Sequence, residues 1–88
     1  MTYYEYAGEM QEMCFKISQA YKVLGDTGLY DFYYAASTGF DDIRKTMSVE
    51  DAEKPADKDE LAILESTAAY YKDVQEQAAK QLDQEVTA

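Results

Sequence analysis

Apolar side chains recur at intervals of three and four residues along three segments of the chain, and this spacing constrains the fold more than any other feature. In residues 3–24, three interleaved sets of apolar residues merge into one broad stripe, as in a helix packed within a globular protein. The stripe consists of Tyr3, Tyr6, Ala7, Met10, Met13, Cys14, Ile17, Ala20, Tyr21 and Leu24. Gly25 supplies a left-handed helix end, and residues 25–28 form a tight turn. The pattern therefore predicts a helix over residues 3–24.

The second apolar series runs through residues 28–47 with the same alternation, and its members are Leu29, Tyr33, Ala36, Phe40, Ile43 and Met47. Because the series continues without a shift on both sides of Gly39, we expect one helix here. Glycine costs about 1 kcal/mol relative to alanine inside a helix, so a bend or a break at Gly39 is the alternative. A strand over residues 30–34 is less favoured, since these residues alternate poorly and the sequence offers no partner strand.

Residues 48–57 form an acidic segment with almost no large apolar side chains, and we expect a mobile loop here. Ser48 can begin a short helical turn. Pro55 should end or bend that turn, because proline disfavours the helical conformation of the residue before it.

Asp57 and Glu60 then form the capping box of a last helix, predicted over residues 58–85. Its apolar members are Leu61, Leu64, Ala68, Tyr71, Ala78 and Leu82, with Gln75 as the one polar residue in the series. At a rise of roughly 1.5 Å per residue this helix would be about 42 Å long, longer than the other two. Its C-terminal turns are expected to project beyond its neighbours or to pair with another chain.

The three segments together predict an all-α fold. We expect one helical domain over residues 1–88, arranged as a small antiparallel three-helix bundle with up-down-up connections. A chain of this size buries only about 60–65% of its unfolded surface, so the stability of the monomer should be modest.

The residue types that catalysis and metal binding require are scarce. The sequence has no histidine, a single cysteine and no glycine-rich nucleotide-binding motif. Cys14 lies on the apolar stripe and is expected to be a packing residue. The acidic clusters lack the spacing of a calcium loop and are expected to be solvated. We therefore expect no enzyme, no catalytic residue, no metal ligand and no cofactor.

Tyrosine is one of two residue types present in surplus, with nine copies and three adjacent pairs. Neighbours on a helix point about 100° apart, so each pair should bury one ring and leave the other at the flank. The predicted outward rings are Tyr4, Tyr34 and Tyr70, and Tyr30 also lies off the main stripe. Tyrosine is enriched at protein interfaces, although a small bundle can also use it at the boundary of its core.

Acid is the second surplus, because 18 Asp and Glu against eight Lys and Arg leave a formal charge of −10. The acids expected to form a partner surface are Asp41, Asp42, Glu50, Asp51, Glu53, Asp57, Asp59 and Glu60. Negative charge interleaved with tyrosine suits a basic protein partner, and it argues against direct contact with nucleic acid or anionic membranes. A surface that is acidic only for solubility is the alternative.

These features favour a non-enzymatic acidic interaction protein, an inhibitor or adaptor that binds a basic surface of a protein partner such as a nucleic-acid-binding protein. In size and charge the chain resembles the small acidic inhibitors encoded by phages and mobile elements, including nucleic-acid mimics and anti-CRISPR proteins. The alternative is a structural or assembly subunit, a helical homo-oligomer or homodimer with no inhibitory role. No signal peptide is evident at the N-terminus, so a cytoplasmic location is expected, in the host cytoplasm if the protein is viral.

Overall fold

The computed structural model describes the backbone of residues 1–87 and the side chains of residues 1–85. This part of the chain is all-α, as predicted, with four helices in the order α1 (Tyr3–Leu24), α2 (Thr27–Thr46), α3 (Val49–Glu53) and α4 (Lys58–Thr87). The helix predicted over residues 3–24 is confirmed at both ends, and the second and last helices shift by at most two residues. The predicted count of three helices is wrong by one, because the turn at Ser48 continues into the short helix α3.

Local hydrogen bonds explain where α1 begins and ends. The Thr2 hydroxyl accepts the Glu5 backbone N–H at 3.2 Å, and the Glu5 carboxylate accepts the Thr2 N–H at 3.0 Å. This pair of bonds is a capping box. At the other end Gly25 is left-handed, with φ of 77°, and its N–H donates to the Lys22 carbonyl at 3.2 Å. The predicted helix end at Gly25 is therefore confirmed.

The second helix is continuous. Asp26 caps α2 by accepting the Leu29 N–H at 3.0 Å, and the helix then passes through Gly39 to Thr46. The alternatives of a break at Gly39 and of a strand over residues 30–34 are wrong, because the helical apolar series runs uninterrupted through both places.

The acidic segment before α4 is joined to the start of the chain. The Ser48 hydroxyl caps α3 by accepting the Asp51 N–H at 3.1 Å. After α3 the chain forms a β-bridge between Thr2 and Pro55, flanked by backbone hydrogen bonds from Tyr3 N–H to the Lys54 carbonyl and from Ala56 N–H to the Met1 carbonyl. The mobility expected for residues 48–57 stays a prediction.

The predicted capping box of α4 is confirmed. Glu60 N–H donates to the Asp57 carboxylate at 2.7 Å, and Asp57 N–H donates to the Glu60 carboxylate at 3.0 Å. With 30 residues, α4 is about 45 Å long at roughly 1.5 Å per residue. The molecule measures 54 × 21 × 17 Å, with a radius of gyration of 15.0 Å. A compact domain of this length would have a radius of about 12 Å, so the long helix makes the molecule elongated.

Most of the core lies on α1. In the described part of the chain both α2 and α4 pack along α1, whereas the backbones of α2 and α4 hardly approach each other. One cluster joins Ile17, Ala20 and Tyr21 of α1 to Val74 and Ala78 of α4. A second cluster is built from three further residues of α1, namely Tyr6, Met10 and Cys14. Because α1 covers only one side of each neighbour, the outer members of the predicted apolar series are exposed: Leu29, Ile43, Leu61 and Leu82.

None of the helices in the described part of the chain combines the length and the apolar content that crossing a membrane requires.

Candidate protein interface

A shallow groove of about 610 Å³ runs along the surface formed by α1 and α2. We call it the acidic-aromatic groove. The described residues that line it all come from these two helices and are Tyr4, Glu5, Gly8, Glu9, Gln11, Glu12, Phe15, Ser37 and Arg44. Three carboxylates and one guanidinium give this surface a formal charge of −2.

Helical spacing brings the lining residues together. On α1, Tyr4, Gln11 and Phe15 lie on the face toward α2, together with Gly8, and the three glutamates follow on the next rows. On α2, Ser37 and Arg44 lie seven residues apart and so on the same face. The groove therefore forms where one face of α1 packs beside one face of α2.

Arg44 holds the N-terminal part of the groove together. Its Nη1 donates to the side-chain oxygen of Gln11 at 2.7 Å, and its Nη2 donates to the Tyr4 hydroxyl at 3.1 Å. The guanidinium also lies over the Tyr4 ring, 4.8 Å from its centre. A Cβ atom on Gly8 would lie 3.3 Å from Arg44 Nε, so glycine at this position lets the arginine pack closely against α1. Nε is buried and has no hydrogen-bond partner among the described residues.

Gln11 joins the two helices at the floor of the groove. Its backbone carbonyl accepts a hydrogen bond from the Ser37 hydroxyl at 3.1 Å, and its side-chain amide N–H donates to the Asp41 carboxylate at 3.3 Å. Asp41 also pairs with Lys45 at 2.7 Å, and this hydrogen bond is the main reason that the pKa of Asp41 lies below its ordinary value. The aspartate is therefore charged at neutral pH and borders the groove.

Aromatic rings extend the surface beyond the groove, starting from Phe15 in its lining. Phe15 and Tyr34 are 46% and 48% exposed, and their ring centres lie 6.4 Å apart across the two helices. Tyr30 continues this row, with its ring 5.8 Å from that of Tyr34. Together with exposed Tyr4, these rings give the groove several aromatic contacts beside its carboxylates.

Of the tyrosines predicted to contact a partner, Tyr4 lines this groove, and Tyr30 and Tyr34 extend the surface beside Phe15. Tyr70 is 39% exposed, as expected for an outward ring, but it lies away from this groove. The Tyr70 hydroxyl shares a hydrogen bond with that of Tyr21, and its ring lies 5.9 Å from the Tyr33 ring. Burial is the main cause of the raised pKa of Tyr21, and burial followed by the hydrogen bond to Tyr70 raises the pKa of Tyr33 to about 12. Tyr70 therefore closes the boundary of the core between α2 and α4.

The remaining predicted acids lie near the end of α2, in α3, and in or just before the first turn of α4, and we call this region the acidic end: Asp42, Glu50, Asp51, Glu53, Asp57, Asp59 and Glu60. Several of these carboxylates already have partners within the chain. Lys54 pairs with Asp51 at 3.0 Å and lowers its pKa, and Asp57 and Glu60 are engaged in the capping box. The acidic end lies where α1 begins and α2 ends, beside the Arg44 half of the groove.

The sequence did not single out several residues of the groove. The apolar periodicity places Glu5, Glu9 and Glu12 on the polar side of α1 and gives no reason to select Gln11 or Arg44. For the three glutamates the one available signal is spacing, since they repeat at four- and three-residue intervals along α1 beside the predicted outward Tyr4.

The described residues contain no group of three or more acids or cysteines placed to hold a metal ion. Cys14 is buried in the core, and burial raises the pKa of its thiol. Comparisons with protein-family models, with curated proteins and with solved structures give no match for this chain.

Proposed function

We propose that the protein is a non-enzymatic interaction protein that binds a basic segment of a protein partner in the acidic-aromatic groove. The observation that carries the proposal is the combination, on one surface, of three glutamates with the exposed rings of Tyr4, Phe15 and Tyr34. Aromatic side chains supply large contact areas at interfaces, and the carboxylates steer a cationic segment toward them.

Arg44 is compatible with a basic partner. Its guanidinium is held by Tyr4 and Gln11, and the groove keeps a formal charge of −2. The partner's lysine or arginine side chains would contact Glu5, Glu9 and Glu12 on the outer rows of α1. The acidic end adds further negative charge on the Arg44 side and should accelerate the first encounter.

In this proposal the three long helices act as a bundle that presents the groove as a rigid surface. A basic segment of this kind is what nucleic-acid-binding proteins present to phosphates. Occupying such a segment would block nucleic-acid binding, so the protein would act as an inhibitor, in the cytoplasm of its cell or of a host. An adaptor that holds the same segment without blocking it would bind through the same contacts.

A salt titration tests this function. The protein would be titrated against a panel of nucleic-acid-binding proteins from its native host at about 50 mM and about 300 mM NaCl, where screening of surface charges differs strongly. The proposal predicts saturable binding to at least one basic member that weakens about tenfold or more at the higher salt concentration. Binding that is indifferent to salt, or no binding to any basic member, would contradict it.

A further inference from the structure

Arg44 is the one cation among the described residues that line the acidic-aromatic groove. No carboxylate of the described residues lies within ion-pair distance of its guanidinium, although 18 of the 88 residues of the chain are acidic. Arg44 donates instead to two uncharged groups, the side-chain oxygen of Gln11 at 2.7 Å and the Tyr4 hydroxyl at 3.1 Å. Its positive charge therefore has no direct counter-charge within the described part of the chain.

The guanidinium keeps donors for a partner on its outer side. Its Nε is buried and lies beside Gly8, where a Cβ atom would come within 3.3 Å. Nη1 and Nη2 each carry two N–H groups, and the bonds to Gln11 and Tyr4 use one N–H of each. These two bonds and the Tyr4 ring, 4.8 Å away, hold the guanidinium in place before any partner binds. Little side-chain freedom is then lost on binding.

A segment seated in the groove would remove water from this guanidinium. A cation that loses water without gaining an acceptor is strongly penalised, whereas a carboxylate can accept two parallel N–H bonds from a guanidinium. The nearby Asp41 carboxylate is not free for this role, because it is paired with Lys45 at 2.7 Å and accepts the Gln11 amide at 3.3 Å. The acceptor must therefore come from the partner.

The negative charges of the groove lie on a different row from Arg44. The residues of α1 that contact Arg44 or lie beside it are Tyr4, Gly8 and Gln11. Each is followed directly by a glutamate, and these form the glutamate row: Glu5, Glu9 and Glu12. Successive residues of a helix are rotated by about 100°, so the glutamate row runs beside the first row and farther from Arg44. The groove thus has acids along its α1 flank and one cation on its α2 flank.

We propose that the segment bound in the acidic-aromatic groove carries one carboxylate among its basic residues, and that this carboxylate pairs with Arg44. The inference rests on the proposed function and narrows the class of partner. The basic side chains of the segment would face the glutamate row, and its acid would face the α2 flank beside Gly8. Because Gly8 lies between Tyr4 and Gln11, the acid would be central, with basic residues on both sides of it.

Arg44 is then a specificity-determining residue. The formal charge of −2 on the groove attracts any basic segment, but a segment that is basic throughout would cover Arg44 with like charge. A segment of mixed charge replaces this repulsion by an ion pair. Selection of one partner over another often depends on such a repulsive contact with the wrong partner.

Two short peptides test the inference on the full chain. Both consist of alternating arginine and leucine residues, and the central leucine is replaced by glutamate in one and by glutamine in the other. Neighbouring side chains of an extended peptide point to opposite sides, so the arginines can face the glutamate row while the central residue faces Arg44. Isothermal titration calorimetry should show about threefold or more tighter binding of the glutamate peptide. Net charge alone predicts the reverse, since the protein carries −10.

Variants of the protein assign the preference to Arg44. Arg44→Gln removes the charge and should abolish or reverse the preference for the glutamate peptide. Lys72→Gln removes one positive charge from an exposed position on α4, outside the groove, and is the matched control that should keep the preference. Circular dichroism melts verify that the helices form. Because both peptides are compared on the same variant, a general loosening of the groove would weaken both and leave their ratio unchanged.

The inference and the function on which it rests fail in different ways. If both peptides bind the unsubstituted chain and the glutamine peptide binds equally or more tightly, the inference is overturned and the binding of basic segments stands. A preference that persists in Arg44→Gln would also overturn it, because the carboxylate would then pair elsewhere. If neither peptide binds at low salt, the proposed function itself is contradicted, and the inference with it.

Discussion

Two of the grooves that border α1 differ in chemical character: the acidic-aromatic groove, and a groove of about 340 Å³ between α1 and α4 that we call the α1–α4 groove. The acidic-aromatic groove has three glutamates, a polar floor around Gln11 and exposed rings, whereas the α1–α4 groove has apolar walls and no acid among its described lining residues. Both are built from the same 22-residue helix. The difference shows how a helix with a broad apolar stripe can hold two neighbours and still border two separate surfaces of different chemical character.

The largest expected effect is on the core that both grooves share. Ile17 is fully buried between α1 and α4, so Ile17→Ala should lower the free energy of unfolding by about 2–5 kcal/mol and weaken both grooves together. Ile43→Ala, which shortens an exposed side chain on α2, is the matched control and should cost much less. Urea denaturation followed by circular dichroism gives both values. Equal losses for the two variants would contradict the central position of α1.

The next largest effect is expected on the affinity for a basic partner, when the aromatic rings at the acidic-aromatic groove are removed. The double variant Phe15→Ala/Tyr34→Ala should weaken binding of a basic partner by about tenfold or more, because exposed aromatic residues often dominate interface energies. Phe32→Ala removes a ring that is 64% exposed but lies on the other side of α2, against Tyr33. Isothermal titration calorimetry should show almost unchanged affinity for this control. If Phe32→Ala weakens binding as much as the double variant, the partner does not use the acidic-aromatic groove.

A smaller effect is expected from the carboxylates of the groove. Glu9→Gln/Glu12→Gln should slow association with a basic partner about threefold at low salt and reduce the salt dependence of the rate. Asp73→Asn/Glu76→Gln changes the net charge by the same amount on the exposed side of α4 and should slow association less. Stopped-flow measurements at several salt concentrations compare the two. Equal slowing would mean that total charge steers the partner and that the groove has no special part in it.

The smallest effect is expected on the pH dependence of stability, through a tyrosine at the boundary of the core. The pKa of Tyr33 is raised to about 12 from an ordinary value of 10.0, mainly by burial. Since the folded state holds this proton more tightly, the contribution of Tyr33 to stability is complete below pH 10 and is lost as the pH rises toward 12. Tyr33→Phe should therefore lose less stability than the parent chain between about pH 9 and about pH 11.5.

Phe32→Leu, which changes an exposed ring that carries no hydroxyl, serves as the control for this alkaline titration. Its unfolding free energy should decline with pH as steeply as that of the parent chain, as measured by urea denaturation at each pH. If the unfolding free energy of Tyr33→Phe declines with pH as steeply as that of the parent chain, burial of the Tyr33 hydroxyl does not contribute to the alkaline loss of stability.

The helices themselves could be predicted closely because the signals that begin and end them are local. Asp57 and Glu60 are three residues apart and cap α4, and Gly25 ends α1 in a left-handed conformation. Ser48 also gives a local signal, which predicts a short helical turn, and in the structure this turn is the five-residue helix α3. Such contacts depend only on residues near each other in the chain.

The site could be predicted only in part, because periodicity tells which side chains point outward but leaves open which helix they face. Tyr4, Tyr34 and Tyr70 are all exposed, as predicted, but on different surfaces. Tyr4 lines the acidic-aromatic groove and Tyr34 lies beside it against Phe15, whereas Tyr70 contacts Tyr21 and Tyr33. The part played by the glutamates of α1 depends on α2 packing beside Gly8 with Arg44 across it, a long-range contact that no local pattern encodes.

The most direct test of the central claim is to map where a basic segment binds. A ¹⁵N-labelled sample would be titrated with a short peptide of alternating arginine and leucine residues, and amide shifts would be followed by NMR. We predict saturable shifts that are largest at Glu9, Gln11, Phe15 and Tyr34 and small along the exposed side of α4. Shifts confined to the acidic end, or spread evenly over all the acids of the chain, would contradict the assignment of partner binding to the acidic-aromatic groove.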